Sequence, residues 1–394
     1  MSKIKIGLFG YGVVGEGLNA VLAQAANAHA EIVKICVKSR NKKRNLDDSY
    51  FTYDADDIFN NPEINLIVEL IDDADESYKI VKRALQSNIA VVSGNKKMLA
   101  YNLPELIELQ KTHNTALLYD ASSCGSIPVI RNLEEYYDND LLLSVKGILN
   151  GSSNFILSKI FNENKTYSAA LKEAQDLGFA ESNPTFDVEG YDSLFKLIII
   201  TVHAFGTYVH PDNALNYGIS RLSEYDIKYA REKGLRIKLL ADVSKISDNE
   251  ITMQVLPCFV PPDKYIYSVE DEFNGVVIKG QFYDKQFMFG RGAGGHPTGS
   301  SVLSDITARG HDYKYEYKKL NLYRKMSYTT DWDLKLYVRY NDDTDILKFK
   351  FKDISERYWS EDYKFMVGTI SLSDLIKLKE ELQTMDIFIA KLYN

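Results

Sequence analysis

The chain has 394 residues, which is enough for two or three domains with separate hydrophobic cores. Its 45% hydrophobic and 26% charged residues are typical of an ordinary soluble protein, and a formal net charge of -8 argues against a general nucleic-acid or membrane-surface binder. The longest apolar run, residues 197–204, is too short to span a bilayer. The 3 cysteines are far apart and match no metal spacing, so we expect a cytoplasmic protein.

The chain opens with a predicted strand over residues 3–9 and a helix over residues 16–26. Between them stand the glycines of a dinucleotide-binding turn, with two valines inside it: Gly10, Gly12, Val13, Val14 and Gly15. In such a turn the first glycine allows a tight bend, the second admits a pyrophosphate, and the third lets the helix close on the strand. The helix N-terminus then faces the phosphates. A chance glycine turn is the alternative.

The second predicted strand, residues 32–37, ends in cations rather than in the acid that a strictly NAD-dependent site uses for the ribose. Lys38 and Arg40 follow it directly. Cations at this place pair with a 2′-phosphate, so we predict NADP as the cofactor, with NAD as the alternative. A solvated basic loop is the other interpretation.

Strands over residues 66–71, 89–92 and 115–119 alternate with helices over residues 75–86 and 103–113. This alternation predicts an α/β fold with a Rossmann-type, doubly wound parallel sheet. Ser93 and Lys96 follow a strand at the carboxyl edge, where such sheets bind ligands. We predict that both contribute to the cofactor or substrate site; for Lys96, a solvated side chain is the alternative.

Four carboxylates and a lysine lie in residues 178–196, just before an apolar run. Gly190 predicts a helix that begins near Tyr191, so that Asp192 and Lys196 share one face with the acid N-terminal to the base. An ordinary surface ion pair is one interpretation. The apolar residues that follow Lys196 favour a buried helix instead, and a buried lysine needs a partner or a chemical role.

Several further stretches complete an ordered series of motifs: Gly94-Asn95-Lys96, Gly125-Ser126-Ile127-Pro128, Gly147-Ile148-Leu149-Asn150-Gly151, Ala180-Glu181, Asp187-Val188-Glu189-Gly190-Tyr191-Asp192, Lys196 and Gly290-Arg291-Gly292-Ala293-Gly294-Gly295. Taken with the N-terminal turn, this series resembles the homoserine dehydrogenases over roughly residues 3 to 310. The sequence departs from the family at Phe179, where Tyr is usual, and at Asp72 and Asp73, where glycines are frequent.

The resemblance implies reversible reduction of L-aspartate 4-semialdehyde to L-homoserine with NADPH or NADH, in threonine and methionine biosynthesis. It implies that Lys196 is the catalytic lysine, accompanied by Asp192. It also implies a homodimer without nucleic-acid or membrane partners. The substrate residues implied are Glu181, Asp187, Lys96, Asn150, Gly151 and Ser152. Sodium would be bound by backbone carbonyls in the loop that contains Asp120, Ser123, Gly125 and Ile127.

The remaining elements are predicted as a mixed α+β region and a tail. Gly292 and Gly294 lie before a helix over residues 298–308 and suit close approach to the nicotinamide, with a flexible hinge as the alternative. Tail strands are predicted over residues 334–340, 346–351, 363–370 and 387–392, with a helix over 373–382. We therefore predict a dinucleotide-binding domain over residues 1–133, joined by the helix over 296–310, a catalytic and dimerisation domain over 134–295, and a small ACT-like α+β domain over 311–394.

Two other functions remain open from the sequence. One is a dehydrogenase of the same fold that acts on a different small amino-acid aldehyde. The other is a catalytically silent nucleotide-binding regulatory protein. Retention of Glu181, Asp192 and Lys196 together argues against silence.

Overall fold

The structure, a computed structural model, describes residues 3–25, 27–139, 141–322 and 325–393. The chain divides into two compact units. The first comprises the described residues within Met1–Asp138 and Arg291–Lys318, and the second those within Asn139–Gly290 and Lys319–Asn394. Three predicted bounds lie outside the described residues. They are position 26, the predicted end of the first helix, and positions 1 and 394, the outermost domain bounds.

In the first unit, strands and helices alternate along the chain. The strands are β1 (Ile4–Phe9), β2 (Ala30–Cys36), β3 (Phe51–Thr52), β4 (Leu66–Glu69), β5 (Ala90–Ser93) and β6 (Leu117–Leu118). The helices are α1 (Val13–Gln24), α2 (Asp56–Phe59), α3 (Ala74–Gln86), α4 (Lys96–Thr112), α5 (Ala121–Cys124), α6 (Val129–Glu135) and α12 (Gly295–Gly310). The strands pair in parallel in the order β3-β2-β1-β4-β5-β6, which confirms the Rossmann-type sheet.

Glycines allow α1 and α12 to pack closely in this unit. A Cβ at Gly17 would lie 2.0 Å from the carbonyl oxygen of Gly295, and a Cβ at Gly299 would lie 2.6 Å from the backbone nitrogen of Leu18. A larger side chain at either position would separate the two helices. The helix that lies in sequence between the two segments of the second unit thus packs within the first unit.

The second unit is built on a mixed sheet with helices. Its strands are β7 (Leu142–Ile148), β8 (Leu215–Asn216), β9 (Arg236–Lys245), β10 (Glu250–Val260), β11 (Phe273–Gly280), β12 (Asp284–Arg291), β13 (Ser327–Tyr328), β14 (Asp333–Tyr340), β15 (Phe351–Trp359), β16 (Lys364–Ser371) and β17 (Ile387–Leu392). Its helices are α7 (Gly151–Glu163), α8 (Tyr167–Asp176), α9 (Thr185–Val188), α10 (Tyr191–Phe205), α11 (Glu224–Glu232), α13 (Asp343–Ile346), α14 (Leu372–Lys377) and α15 (Lys379–Leu382). The main strand order is β12-β11-β7-β9-β10-β17-β14-β16-β15, with β8 and β13 pairing with β10.

Helix α10 occupies the core of the second unit. All of its residues except the first, Tyr191, are buried. Glycines in the left-handed region bound the helix, Gly190 with φ 79° before it and Gly206 with φ 64° after it. A Cβ at Gly206 would lie 2.3 Å from the carbonyl oxygen of Lys319, so the chain needs glycine at this close approach.

The tail strands continue the sheet of the second unit. Strand β17 pairs in parallel with β10 and antiparallel with β14, so the tail shares one sheet with the rest of the unit. The prediction of a strand over residues 346–351 is wrong. Asp342 accepts a hydrogen bond from the backbone N–H of Thr344 at 2.8 Å and starts α13 there, and the next strand begins only at Phe351. The ACT-like character of the tail stays a prediction.

A buried ion pair also joins the tail to α11. The Arg339 Nε lies 3.0 Å from both carboxylate oxygens of Asp226, and the two side chains are 4% and 0% exposed. Tyr337 donates to the same carboxylate at 3.0 Å, and the Ser223 N–H does so at 2.8 Å as part of the capping box that starts α11. Burial nevertheless raises the pKa of Asp226.

Candidate active site

The turn between β1 and α1 has the geometry that its glycines allow. Gly10 has a φ of +93°, and a Cβ there would lie 2.5 Å from a backbone carbonyl oxygen. A Cβ at Gly15 would lie 2.6 Å from the carbonyl oxygen of Gly10, whereas a Cβ at Gly12 would meet no atom within 4 Å. The fold itself therefore does not require glycine at position 12. The open space before the helix, where Val13 and Val14 begin α1 and Val13 is 71% exposed, fits a phosphate group.

The loop after β2 presents the two predicted cations to solvent. Lys38 and Arg40 are exposed, and the Arg40 guanidinium lies 4.4 Å from the centroid of the Tyr53 ring. This cation–π contact orients the guanidinium and leaves the N–H groups at its edge for an anion. Asp73 caps α3 by accepting from backbone N–H groups, of which that of Glu76 is the main cause of its lowered pKa. Lys38 lowers that pKa further, so it lies within electrostatic reach of Asp73.

A buried carboxylate organises the loop that carries Ser93 and Lys96. Glu69, at the end of β4, accepts from the Ser93 hydroxyl at 2.6 Å and from the Ile71 N–H at 2.8 Å. The Ser93 hydroxyl in turn accepts from the N–H of Asn95, which caps α4 just before the half-buried Lys96. Burial raises the pKa of Glu69. Sequence reasoning missed this residue, although an acid inside an apolar strand was the available signal.

The loop predicted to ligate sodium packs against the glycine-rich loop that precedes α12. Gly125 has a φ of +55°, and a Cβ there would lie 2.5 Å from the carbonyl oxygen of Gly292. The backbone N–H of Ser126 donates to the carbonyl of Arg291 at 3.0 Å. Among the described residues, the buried Ser123 hydroxyl has no hydrogen-bond partner. This orphaned polar atom fits a further ligand in the loop.

The side chain of Asp120 is committed to the protein itself. Its Oδ1 accepts from the N–H of Ile130 at 2.8 Å, and its own N–H donates to Asp305 at 2.9 Å. Burial, together with repulsion from Asp305, raises the pKa of Asp120. The Ile127 carbonyl accepts from the Val129 N–H at 2.8 Å. Within the described ranges no cluster of three or more His, Cys, Asp or Glu is placed to bind a metal, so a sodium ion would depend on backbone carbonyls.

The two glycines before α12 differ in their surroundings. Gly292 is buried in the contact just described, so the fold alone explains it. Gly294 is exposed, has a φ of +115° and accepts from the Thr298 N–H at 3.0 Å as α12 begins. Gly294 is therefore the one whose backbone is open to a ligand.

In the second unit, the predicted ion pair on α10 is present and buried. The Lys196 Nζ lies 2.7 Å from Oδ2 of Asp192, with side-chain exposures of 9% and 6%. It also donates to the carbonyl oxygen of Leu149 at 2.7 Å. Because an ammonium has three N–H donors, two of which are directed at these oxygens, one is left for a bound molecule. The carbonyl of Leu149 was not predicted, since the two residues are 47 positions apart.

Asn150 connects this pair to a second carboxylate. Its Nδ2 donates to Asp187 Oδ1 at 2.7 Å and to Asp192 Oδ2 at 3.0 Å. Its Oδ1 accepts from the Ser153 N–H at 2.8 Å and so caps α7. The structure therefore brings Lys196, Asp192, Asn150 and Asp187 into one hydrogen-bonded group, which we call the lysine cluster.

The other predicted substrate residues lie around α7 and α8. The Ser152 hydroxyl donates to the carbonyl of Phe179 at 2.5 Å, and the Phe179 ring packs against Phe155 at 4.9 Å. A Cβ at Gly151 would lie 2.5 Å from a backbone carbonyl oxygen. The Glu181 side chain is exposed, and its backbone carbonyl accepts from Gln175 at 3.0 Å. The contacts described here do not join Glu181 to the lysine cluster.

The sequence matches two family profiles. One, described as homoserine dehydrogenase, NAD binding domain, matches residues 10–120, and the other, described as homoserine dehydrogenase, matches residues 128–307. The homoserine dehydrogenase of Bacillus subtilis (strain 168) is 33% identical over 317 residues, which are 78% of this chain and 73% of that protein.

Solved structures show the same likeness. A homoserine dehydrogenase from Thiobacillus denitrificans has a TM-score of 0.84 at 27% identity and covers 99% of this chain and 98% of its own. A hyperthermophilic archaeal homoserine dehydrogenase mutant in complex with NADPH has a TM-score of 0.68 at 25% identity and covers 79% of this chain and 99% of its own. Among the described residues, no helix is both long and apolar enough to cross a membrane.

Proposed function

Because this chain belongs to the homoserine dehydrogenase family, we propose that it interconverts L-aspartate 4-semialdehyde and L-homoserine with a nicotinamide cofactor, and that Lys196 transfers the proton. The observation that carries the proposal is the buried Lys196 ammonium between Asp192 and the Leu149 carbonyl. The cofactor supplies or accepts the hydride. The chain's own residues must then orient the aldehyde and manage one proton.

Lys196 suits the proton step because of its fixed environment. As the carbonyl oxygen of the substrate gains negative charge, the unused N–H of the ammonium stabilises it and then donates the proton. Asp192 and Leu149 hold the other two donors at 2.7 Å each, so the ammonium does not reorganise during reaction. In the oxidative direction the same amine accepts the proton of the substrate hydroxyl.

The surrounding acids suit a small zwitterionic substrate. Asp187 is fixed by Asn150, and the Glu181 carboxylate is exposed and available to a ligand's α-ammonium group. Asn150, Gly151 and Ser152 form the first turn of α7 beside them. Opposed charges of this kind restrict a small molecule to one pose.

For the cofactor, we infer a preference for NADP over NAD. Arg40 and Lys38 are exposed at the end of β2, where an NAD-specific site has an acid. The turn from Gly10 to Gly15 and the exposed Gly294 would receive the phosphates and the nicotinamide end, with Ser93 and Lys96 at the neighbouring strand edge. A sodium ion on the backbone carbonyls of the loop from Asp120 to Ile127, a homodimer and a cytoplasmic location belong to the same proposal.

The test is the oxidation of NADPH, followed by its absorbance, with aspartate semialdehyde as substrate. The wild-type chain should oxidise NADPH, and Lys196→Ala should lower kcat more than ~100-fold because the proton donor is lost. Lys172→Ala, at a lysine that is exposed on α8, is the control and should retain activity. Equal rates for wild type and Lys196→Ala would remove Lys196 from the mechanism, and an inactive wild type would contradict the function.

A further inference from the structure

The first turn of α7 is held from its far side by a segment that the sequence did not single out. The backbone of residues 269–273, which we call the 269–273 segment, runs along this helix. Asn154 Nδ2 lies within hydrogen-bond distance of three of its carbonyl oxygens, those of Val269 at 3.2 Å, Asp271 at 2.9 Å and Phe273 at 3.3 Å. One amide thus fixes the course of five successive residues.

Two more contacts hold the segment close to the helix. The Asp271 N–H donates to the Ser158 hydroxyl at 2.9 Å. A Cβ at Gly151 would lie 2.5 Å from the carbonyl oxygen of Glu272, so the segment touches the backbone of the first helical residue. Asp271 itself has a φ of +50°, an uncommon conformation for a side chain with a Cβ. The surrounding contacts must therefore maintain this turn.

A buried lysine fixes the amide of Asn154. Lys238 on β9 is 1% exposed, and its Nζ donates to Val269 O at 2.5 Å and to Asn154 Oδ1 at 3.2 Å. Because Oδ1 accepts from Lys238, the NH₂ group of Asn154 must point toward the segment. Such complete burial disfavours the charged form of the amine and lowers the pKa of Lys238 to about 7. Two charged neighbours, Glu270 at 3.8 Å and the Arg236 paired with it, border the site.

We propose that Lys238 and Asn154 are positioning residues for the reaction: through the 269–273 segment they fix the first turn of α7, and with it the Asn150 amide that joins Asp187 and Asp192. The side chains of Lys238 and Asn154 make their hydrogen bonds to each other and to the 269–273 segment, and only the backbone N–H of Asn154 reaches the lysine cluster, donating to the Asn150 carbonyl at 3.4 Å. Their effect on Lys196 passes through the position of Asn150, which is one helical turn before Asn154. This inference rests on the proposed function, because Lys196 is there the proton donor.

The test is a double-mutant cycle between Lys238→Met and Asn150→Ala, with kcat and KM measured from NADPH absorbance. Methionine keeps the length of the side chain and removes its donors. We expect Lys238→Met to lower kcat about tenfold in the wild-type background and less than about twofold in the Asn150→Ala background, since its effect passes through Asn150. A merely structural role would lower kcat by the same factor in both backgrounds. Such additive effects would overturn the proposal.

Two controls complete the design. Lys245→Met, at the opposite end of β9, should change kcat by less than about twofold. NADPH affinity, measured by fluorescence, should be unchanged in Lys238→Met. An affinity loss as large as the loss in kcat would overturn the positioning role, because it would indicate general damage.

If Lys238→Met does not fold, Ser158→Ala replaces it, since it removes a hydroxyl that accepts from the Asp271 N–H at 2.9 Å and donates to the Asn154 carbonyl at 2.8 Å. We expect a loss of about threefold in kcat that disappears in the Asn150→Ala background; a loss that persists there refutes the proposal. Turnover by the wild type separates the two claims. With an active wild type and an additive cycle, the positioning role alone fails; with no wild-type turnover, the proposed function fails first.

Discussion

Two buried lysines in the second unit are stabilised in different ways. Lys196 lies 2.7 Å from a carboxylate oxygen of Asp192, so its charge has a direct counterion. Lys238 donates to two neutral oxygens, and its nearest carboxylate, that of Glu270, is 3.8 Å away and belongs already to an ion pair with Arg236. A charge without a close counterion is costly in a buried site. A positive charge on Lys238 is therefore less well compensated than one on Lys196.

The first prediction concerns stability against pH. Burial lowers the pKa of Lys238 from its ordinary 10.5 to about 7 in the folded protein. Between about pH 7 and 10 the unfolded chain holds the proton more often than the folded chain, so the lysine makes stability rise with pH in this window. Lys238→Met should flatten that rise in the free energy of unfolding, measured by urea titration at several pH values. An unchanged slope in the variant, with Lys245→Met as reference, would contradict the assignment.

The second prediction concerns the cofactor. Arg40→Ala should weaken the binding of NADPH about tenfold or more and leave the binding of NADH almost unchanged. The reason is that only NADPH carries the 2′-phosphate whose charge-assisted hydrogen bond is lost. The measurement is the ratio of the two dissociation constants by fluorescence titration. Lys111→Ala, in the last turn of α4, should leave the ratio as it is. A ratio that does not move with Arg40→Ala refutes the phosphate role.

At the residue scale, local spacing predicted more than distant contacts. Asp192 and Lys196 are four residues apart on one helix, so their pairing followed from helix geometry. The contacts of Glu69 with Ser93 and of Lys238 with Val269 and Asn154 were missed because these partners lie 24 and 31 or more positions away. No local pattern contains such partners.

At the scale of elements, the residues that precede or cap a helix explain both a correct prediction and an error. Gly190 precedes the start of α10 as expected, and Ser223 and Asp226 form a capping box at the start of α11. The error at residues 346–351 has the same origin, because the cap at Asp342 starts a short helix that the alternation of apolar residues concealed. Periodicity alone does not separate a short strand from a single helical turn.

The third prediction tests the pair between α11 and β14. Arg339→Met leaves the buried Asp226 carboxylate without its counterion and should reduce the free energy of unfolding by about 3–5 kcal/mol. Lys352→Met, at an ion pair that is 53% and 43% exposed, is the matched control and should leave the free energy of unfolding almost unchanged, because solvent screens the pair. Chemical denaturation gives both values. Similar small losses for the two variants would show that the buried pair is not stabilising.

At the scale of the whole chain, the strand order of the first unit was predictable from the sequence and that of the second unit was not. The alternation of strands and helices implies a parallel sheet, and its observed order, β3-β2-β1-β4-β5-β6, is the common one for dinucleotide-binding folds. In the second unit, β17 lies between β10 and β14, which are far from each other in sequence. Strand order of this kind depends on long-range pairing, and composition does not determine it.

The fourth prediction follows from that shared sheet. A chain truncated after Thr329 lacks Arg339, the counterion of Asp226, and Lys391, one of the two lysines paired with Asp242, and it exposes the end of β10 at Cys258 and Phe259. We expect lower solubility and a lower midpoint of thermal unfolding than in the full chain.

Asp226→Asn in the truncated chain should recover part of the loss, because it removes one uncompensated charge. The measurements are the soluble yield and the unfolding midpoint of each chain. A truncated chain as stable as the full one would show that the tail is an independent domain.

The place of β17 also has a consequence for synthesis of the protein on the ribosome. This strand contains residues 387–392, yet it fills a gap between two strands made much earlier. The end of β10 that pairs with β17, at Cys258 and Phe259, therefore stays without this partner while the intervening residues are translated. It closes only after β17 has left the exit tunnel, and during that interval this short edge is open to pairing with other copies.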